Sequence, residues 1–143
     1  NTWNSVYGKV LCKAPYTYHW RFKIKAFAIY FMFGVAKESD NYSVVNNYLG
    51  ATKQAMGYYA ANGSAKTAHV YHTGAEGELG MQRFNKAGCV LDMYLDLTNY
   101  TLNFKTGGQD TGVTINELPR EDYRMIVSLY NKQQIELVAF DYH

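Results

Sequence analysis

The stretch Gly88-Cys89-Val90-Leu91-Asp92-Met93-Tyr94-Leu95-Asp96-Leu97, followed by Tyr100-Thr101-Leu102-Asn103-Phe104 and Gly107-Gly108-Gln109-Asp110-Thr111-Gly112-Val113, decides the fold. Leu91, Met93, Leu95 and Leu97 alternate with more polar neighbours, the pattern of a strand with one buried face. Thr98-Asn99 makes a turn, Leu102 and Phe104 resume the alternation, and a glycine-rich reversal follows. This is a meander of antiparallel strands. Leu91, Met93 and Leu95 are expected between two sheets, with Val90, Asp92 and Tyr94 on the opposite face.

Outward from this meander, strands are expected at 9–13, 17–26, 30–37, 55–61, 68–72, 89–97, 100–105, 112–115, 123–130 and 134–140. Turn clusters such as Asn62-Gly63-Ser64 and Lys105-Thr106-Gly107-Gly108 separate them. No stretch carries a helical apolar period. Many short strands with frequent turns favour an all-β, two-sheet antiparallel sandwich over a barrel or an α/β fold. The long segment 38–54 lacks strong periodicity, and a connection of that length in a compact domain is usually functional or mobile.

The chain has 143 residues, enough for one domain with a single core, and an aromatic share of 16% that exceeds what a helical bundle of this size usually carries. Two prolines exclude a disordered linker, and no long apolar run suggests a membrane span. Because the sequence starts at Asn1 without methionine or signal peptide, it reads as a single domain, 1–143, of a longer protein. Residues 1–37 hold Lys9, Lys13, Arg21, Lys23, Lys25 and Lys37 with no acid. Arg21, Lys23 and Lys25 alternate with Trp20, Phe22 and Ile24, so they form the outer face of a strand where acids such as Asp92 or Asp96 can offset them. No base-reading motif accompanies the charge, so no nucleic-acid partner is expected.

Enzyme chemistry is not expected. His69 and His72 are three apart, which on a strand puts them on opposite faces, so neither these nor His19 and His143 make a metal site. His72 reads as a turn residue. Glu76 and Glu78 lie in a glycine-rich turn where nothing suggests the desolvation a glycosidase acid needs, and they read as solvated. Asp96 is suited to accept N–H bonds of the turn that follows it. There is no nucleophile elbow, phosphate-binding glycine loop or cofactor motif. Cys12 and Cys89 read as buried free thiols. Sequons at Asn41, Asn62 and Asn99 fall in expected loops and keep a secreted protein open.

The meander resembles the late hairpins of SPRY domains, in which a leucine-aspartate-leucine strand end, a short turn, a threonine-leucine-x-phenylalanine strand and a glycine-valine strand follow one another. Upstream, Tyr18-His19-Trp20-Arg21-Phe22-Lys23-Ile24 and Phe33-Gly34-Val35-Ala36 resemble the family's early strand pair. Met56-Gly57-Tyr58 is similar to its aromatic-glycine-aromatic, Tyr71-His72-Thr73-Gly74 to its aromatic-histidine turn, and Tyr123-Arg124-Met125-Ile126-Val127-Ser128-Leu129 to its tyrosine-x-proline-alanine-valine-serine-leucine strand. Coverage runs from Trp3 to Phe140. Cys89, Asp92 and Gly107 stand where the family usually has aspartate, glycine and asparagine, which marks a distant member. The resemblance implies the concanavalin-like sandwich of that family, with Tyr58 packed inside it, and favours an intracellular setting; use of the sequons would make the protein extracellular.

Such a sandwich acquires function through loops on a rigid scaffold. Tyrosine rings bury large area with little rotamer loss, and tyrosine hydroxyls and asparagine amides bond peptide backbone. Tyr42, Tyr48 and Gln54 in the long segment, and Tyr130 and Asn131 before the last strand, have that character, and the resemblance implies ligand contacts from these two regions. The expected function is non-catalytic recognition of a peptide or a protein loop, with Tyr48, Tyr130 and Asn131 central and Tyr42 and Gln54 at the rim. The alternative is a secreted, glycosylated sandwich that binds carbohydrate or assembles as a surface filament.

Overall fold

The computed structural model describes residues 3–26, 30–49, 55–61, 64–68, 87–130 and 134–143. Among the described residues ten strands form two five-stranded antiparallel sheets. In chain order they are β1 (Trp3–Tyr7), β2 (Thr17–Ala26), β3 (Tyr30–Lys37), β4 (Ala55–Ala61), β5 (Ser64–Ala68), β6 (Val90–Asp96), β7 (Thr101–Thr106), β8 (Gln109–Ile115), β9 (Tyr123–Tyr130) and β10 (Gln134–Tyr142). One sheet has the order β1-β9-β3-β4-β5 and the other β10-β2-β6-β7-β8.

The alternation read from the sequence sets the core. Trp20, Phe22 and Ile24 of β2, Leu91, Met93 and Leu95 of β6, and Leu102 and Phe104 of β7 meet Phe31, Phe33 and Val35 of β3 and Tyr123 and Val127 of β9 in one buried cluster. Phe22 and Phe33 join the two sheets, with ring centroids 5.1 Å apart. The expected faces of β6 hold, except that Asp92, on the outer face, is nevertheless 3% exposed. Its Oδ1 accepts from Arg21 Nε at 2.8 Å and lies 2.6 Å from His19 Nε2, so a buried carboxylate sits among cationic and polar donors. Gly107 and Gly108 both have positive φ, 56° and 80°, the demand of a two-residue hairpin turn joining β7 and β8. Asparagine and glycine both tolerate that conformation, so Gly107 in place of asparagine leaves the turn intact.

Two expectations are corrected. The first strand is Trp3–Tyr7 rather than 9–13: the chain bends after Gly8, and Cys12 makes only an isolated bridge to Tyr123. A strand not expected from the sequence, β5, pairs Ser64 with Ala61 of β4; of the strand expected at 68–72, residues 69–72 lie outside the described residues. Asp96 does not offset the basic face. It binds its own turn, accepting from Thr98 N–H at 2.8 Å and from Asn99 N–H and Nδ2 at 3.0 and 2.9 Å. Burial pushes its carboxyl up, yet the three bonds together outweigh that and hold it below the usual carboxylate range. The basic face is as expected otherwise: Arg21 pairs with Asp92, and Lys25 with Glu136 at 3.6 Å. Cys12 and Cys89 are unpaired, the first fully buried and the second half-buried. Among the described residues no helix is long and apolar enough to cross a membrane.

Candidate functional site: an aromatic patch on the outer face of one sheet

On β1 and β9 the outward positions are Trp3, Ser5 and Tyr7, and Arg124, Ile126, Ser128 and Tyr130, with Trp3 opposite Tyr130 and Ser5 opposite Ser128. An outer sheet face needs a cover where it is apolar. Segment 38–49 supplies it. After a 3-10 turn over Glu38–Asp40, successive turn bonds run from Asn41 N to Glu38 O, Ser43 N to Asp40 O, Val45 N to Tyr42 O and Asn47 N to Val44 O. That winding drops Val44 and Leu49, both buried, onto Met32, Ala36, Ala55 and Ile126, a second small core with Trp3 and Tyr7 at its margin. Residues 38–49 of the long aperiodic segment are therefore a packed cap, and their polar composition reflects the face they turn to solvent.

Buried polar groups tie the cap down. Leu49 N donates to Ser128 Oγ at 2.9 Å, Ser5 Oγ donates to Asn47 O at 2.7 Å, and the two serine oxygens are 2.7 Å apart. Each hydroxyl has one proton, and Ser5 uses its own on Asn47, so Ser128 must donate to Ser5. At the other end of the cap, buried Asp40 accepts from both the Tyr7 hydroxyl and Ser43 Oγ, while Val44 N donates to the Tyr7 oxygen at 3.2 Å. Burial and then the Asp40 bond push the Tyr7 hydroxyl far above the ordinary phenol range, so it remains a donor throughout the physiological range.

This frame brings the expected contact residues together. The Trp3 indole lies between Tyr48 and Tyr130, with ring centroids 5.8 and 5.1 Å away and tilted planes. Tyr48 is 36% exposed and Tyr130 and Trp3 are half-buried, so the three rings offer a partly open apolar surface. Tyr42 is 49% exposed and stands apart from them, edge-on to Tyr7 at 4.9 Å and beneath the Arg124 guanidinium at 5.6 Å. A cleft of about 190 Å³ opens there, lined by Tyr7, Lys37, Glu38, Asn41, Tyr42 and Arg124. Asn41 and Tyr42 both hold positive φ, 52° and 61°, rare for a tyrosine and the kind of backbone strain found at ligand-contacting positions. Gln54 and Asn131 lie outside the described residues, as do Asn62, His72, Glu76 and Glu78. The side chain of Tyr58 is likewise outside the description. Asn41 and Asn99 are exposed, but the Asn99 amide is engaged with Asp96.

Trp3 and Arg124 are absent from the sequence-derived set. The alternation of Trp3, Ser5 and Tyr7 against Asn4 and Val6, ended by Gly8, was the available signal for Trp3. Among the described residues no cluster of three or more histidine, cysteine, aspartate or glutamate side chains has the arrangement of a metal site.

No protein-family model matches the sequence, and no curated protein matches it significantly. Solved structures do match the fold. The PSpry domain of TRIM65 superposes with a TM-score of 0.70 at 17% identity, over 94% of this chain and 68% of that one. The SPRY domain of human HERC1 gives 0.69 at 18% identity, over 96% and 84%. The chain has the fold of these SPRY domains, a two-sheet antiparallel β-sandwich.

Proposed function

We propose that this domain is a non-catalytic interaction module that recognises a peptide or an exposed loop of a partner protein on the patch formed by Trp3, Tyr48 and Tyr130, with Tyr42 at its rim. The observation that carries this reading is the convergence of three tilted aromatic rings, from an edge strand, a cap and the end of a central strand, on one partly open surface. Clustered tyrosine and tryptophan are the side chains that most often anchor protein interfaces. The cap beneath them is held by buried hydrogen bonds, which limits the ordering cost on binding. Similarity in fold to SPRY domains is consistent with an interaction role, and Gln54 and Asn131 remain part of the proposed contact set.

The test is affinity capture from the native source on immobilised wild type, Tyr48→Ala and Tyr130→Ala, with each captured partner's affinity then measured. The proposal expects each alanine to weaken binding by about 1–2 kcal/mol or more while the unfolding midpoint stays put. Partners held equally well by all three proteins would refute it. The secreted, carbohydrate-binding reading is separated by intact-mass analysis of the native protein, which it predicts to carry glycan.

A further inference from the structure

We infer that the cleft beside Tyr42 is a carboxylate site, with Arg124 as its anchor, that receives an acidic side chain of the bound peptide. The inference rests on the peptide-binding reading of the aromatic patch and assigns a second contact to the same ligand. Arg124 is half-buried, and its guanidinium is fixed from two directions. Nη1 donates to the Lys9 carbonyl at 3.0 Å, and the ring of Tyr42 lies 5.6 Å from the guanidinium carbon. A guanidinium carries five N–H donors, and this one uses one. Among the described residues every ion pair involves another cation, so none of their carboxylates is paired with Arg124. A pre-positioned fork with unused donors facing a cleft is the arrangement that recognises a carboxylate.

The surrounding charges select a singly charged acid. Lys37, the other cation of the cleft, is already paired with Glu121 at 3.7 Å, and Glu38 also lines the wall. Among the described residues, one unpaired cation facing one wall carboxylate suits an aspartate or glutamate better than a doubly charged phosphate. Position follows from the strands. Tyr7, at the cleft, and Trp3, in the patch, are four residues apart on β1, and Arg124 and Tyr130 are six apart on β9. At the rise of a strand these separations are about 13 and 20 Å, so an extended ligand places its acidic residue about four to six positions from the residue on the aromatic patch.

The experiment pans a phage-displayed library of random peptides on the 143-residue chain and on Arg124→Gln, with circular dichroism and thermal unfolding as folding controls. The expected result is wild-type selection of peptides with an aromatic or apolar residue and an Asp or Glu four to six positions away, and loss of the acidic preference on Arg124→Gln. For a selected peptide, changing that acid to its amide should weaken binding to wild type about tenfold and to Arg124→Gln less than about twofold. Arg124→Lys should fall between, because it keeps the charge and loses the fork. Selection without acidic preference, or with a preference that survives Arg124→Gln, overturns this inference and leaves the aromatic-patch reading standing. Tighter binding of a phosphoserine peptide overturns the choice of a carboxylate. Failure to select any peptide on folded wild type overturns both.

Discussion

Ser128→Ala tests the frame on which the patch depends. Ser128 is fully buried, and its hydroxyl accepts from Leu49 N–H at 2.9 Å while donating to Ser5 Oγ 2.7 Å away. Removing the oxygen takes away two bonds with unequal consequences. Ser5 keeps its donation to the Asn47 carbonyl and loses only an incoming proton. Leu49 N–H is left buried without an acceptor, which costs about 1–3 kcal/mol. Because the lost bond joins the cap to β9 rather than strand to strand, the penalty falls mainly on the closed position of segment 41–49, whose opening constant should rise about 5- to 150-fold. Native-state hydrogen exchange followed by NMR reads this residue by residue. The Leu49 and Asn47 amides should exchange faster by that factor, while amides of β2 and β6 change far less. Unchanged protection at Leu49 would show that the serine pair does not hold the cap, and with it the argument for a pre-ordered Tyr48 would fail.

Leu95 is fully buried between the sheets, so Leu95→Ala should lower unfolding stability by about 2–5 kcal/mol in urea titrations, and an unchanged midpoint would mean the faces of β6 are misassigned. Burial pushes the Cys12 thiol up to about 12, so the unfolded chain releases its proton first; the stability held by the neutral thiol is intact below the usual thiol range and declines as pH rises through it toward 12. The stability gap between wild type and Cys12→Ala should therefore shrink between about pH 8 and pH 11, and a constant gap would contradict the buried-thiol assignment. With Arg21 and Lys25 engaged by Asp92 and Glu136, affinity for duplex or single-stranded nucleic acid should vanish by about 0.2 M salt; sequence-selective binding above that would make the basic face a functional site.

Strands β2, β3, β4 and β9 have the bounds expected from the sequence; β2 alternates buried and exposed side chains, whereas β3 and β9 bury both faces, one against the opposite sheet and one beneath the cap. β1 was not legible in the same way. It is short, and its outward Ser5 is buried only because a cap residue forty-two positions later covers it, a relationship that local pattern cannot carry. The same physics hides the polar network: Asp40, Ser5 and Ser128 read as surface residues until the cap encloses them. Tyr48 was legible as a loop aromatic and Tyr130 as one at a strand end, and the resemblance placed their regions near each other, whereas Trp3, the ring that joins them, required the β1–β9 register. Arg124 reads as one polar residue on a strand. Its role depends on Tyr42, held at positive φ by the turn before it, and on the bend that brings the Lys9 carbonyl alongside.

The central claim is that ligand binds across Trp3, Tyr48 and Tyr130. The most direct measurement is an NMR chemical-shift map of the isotope-labelled chain titrated with a selected peptide, using the Trp3 indole N–H as a reporter distinct from that of buried Trp20. The account predicts saturable shifts concentrated at Trp3, Tyr48 and Tyr130 and extending through 38–49 to Arg124, with β2 and β6 silent. Shifts centred on the opposite sheet at His19 and Tyr94, or on the sheet edges at Val6 and Leu137, with the Trp3 indole unmoved, would contradict it.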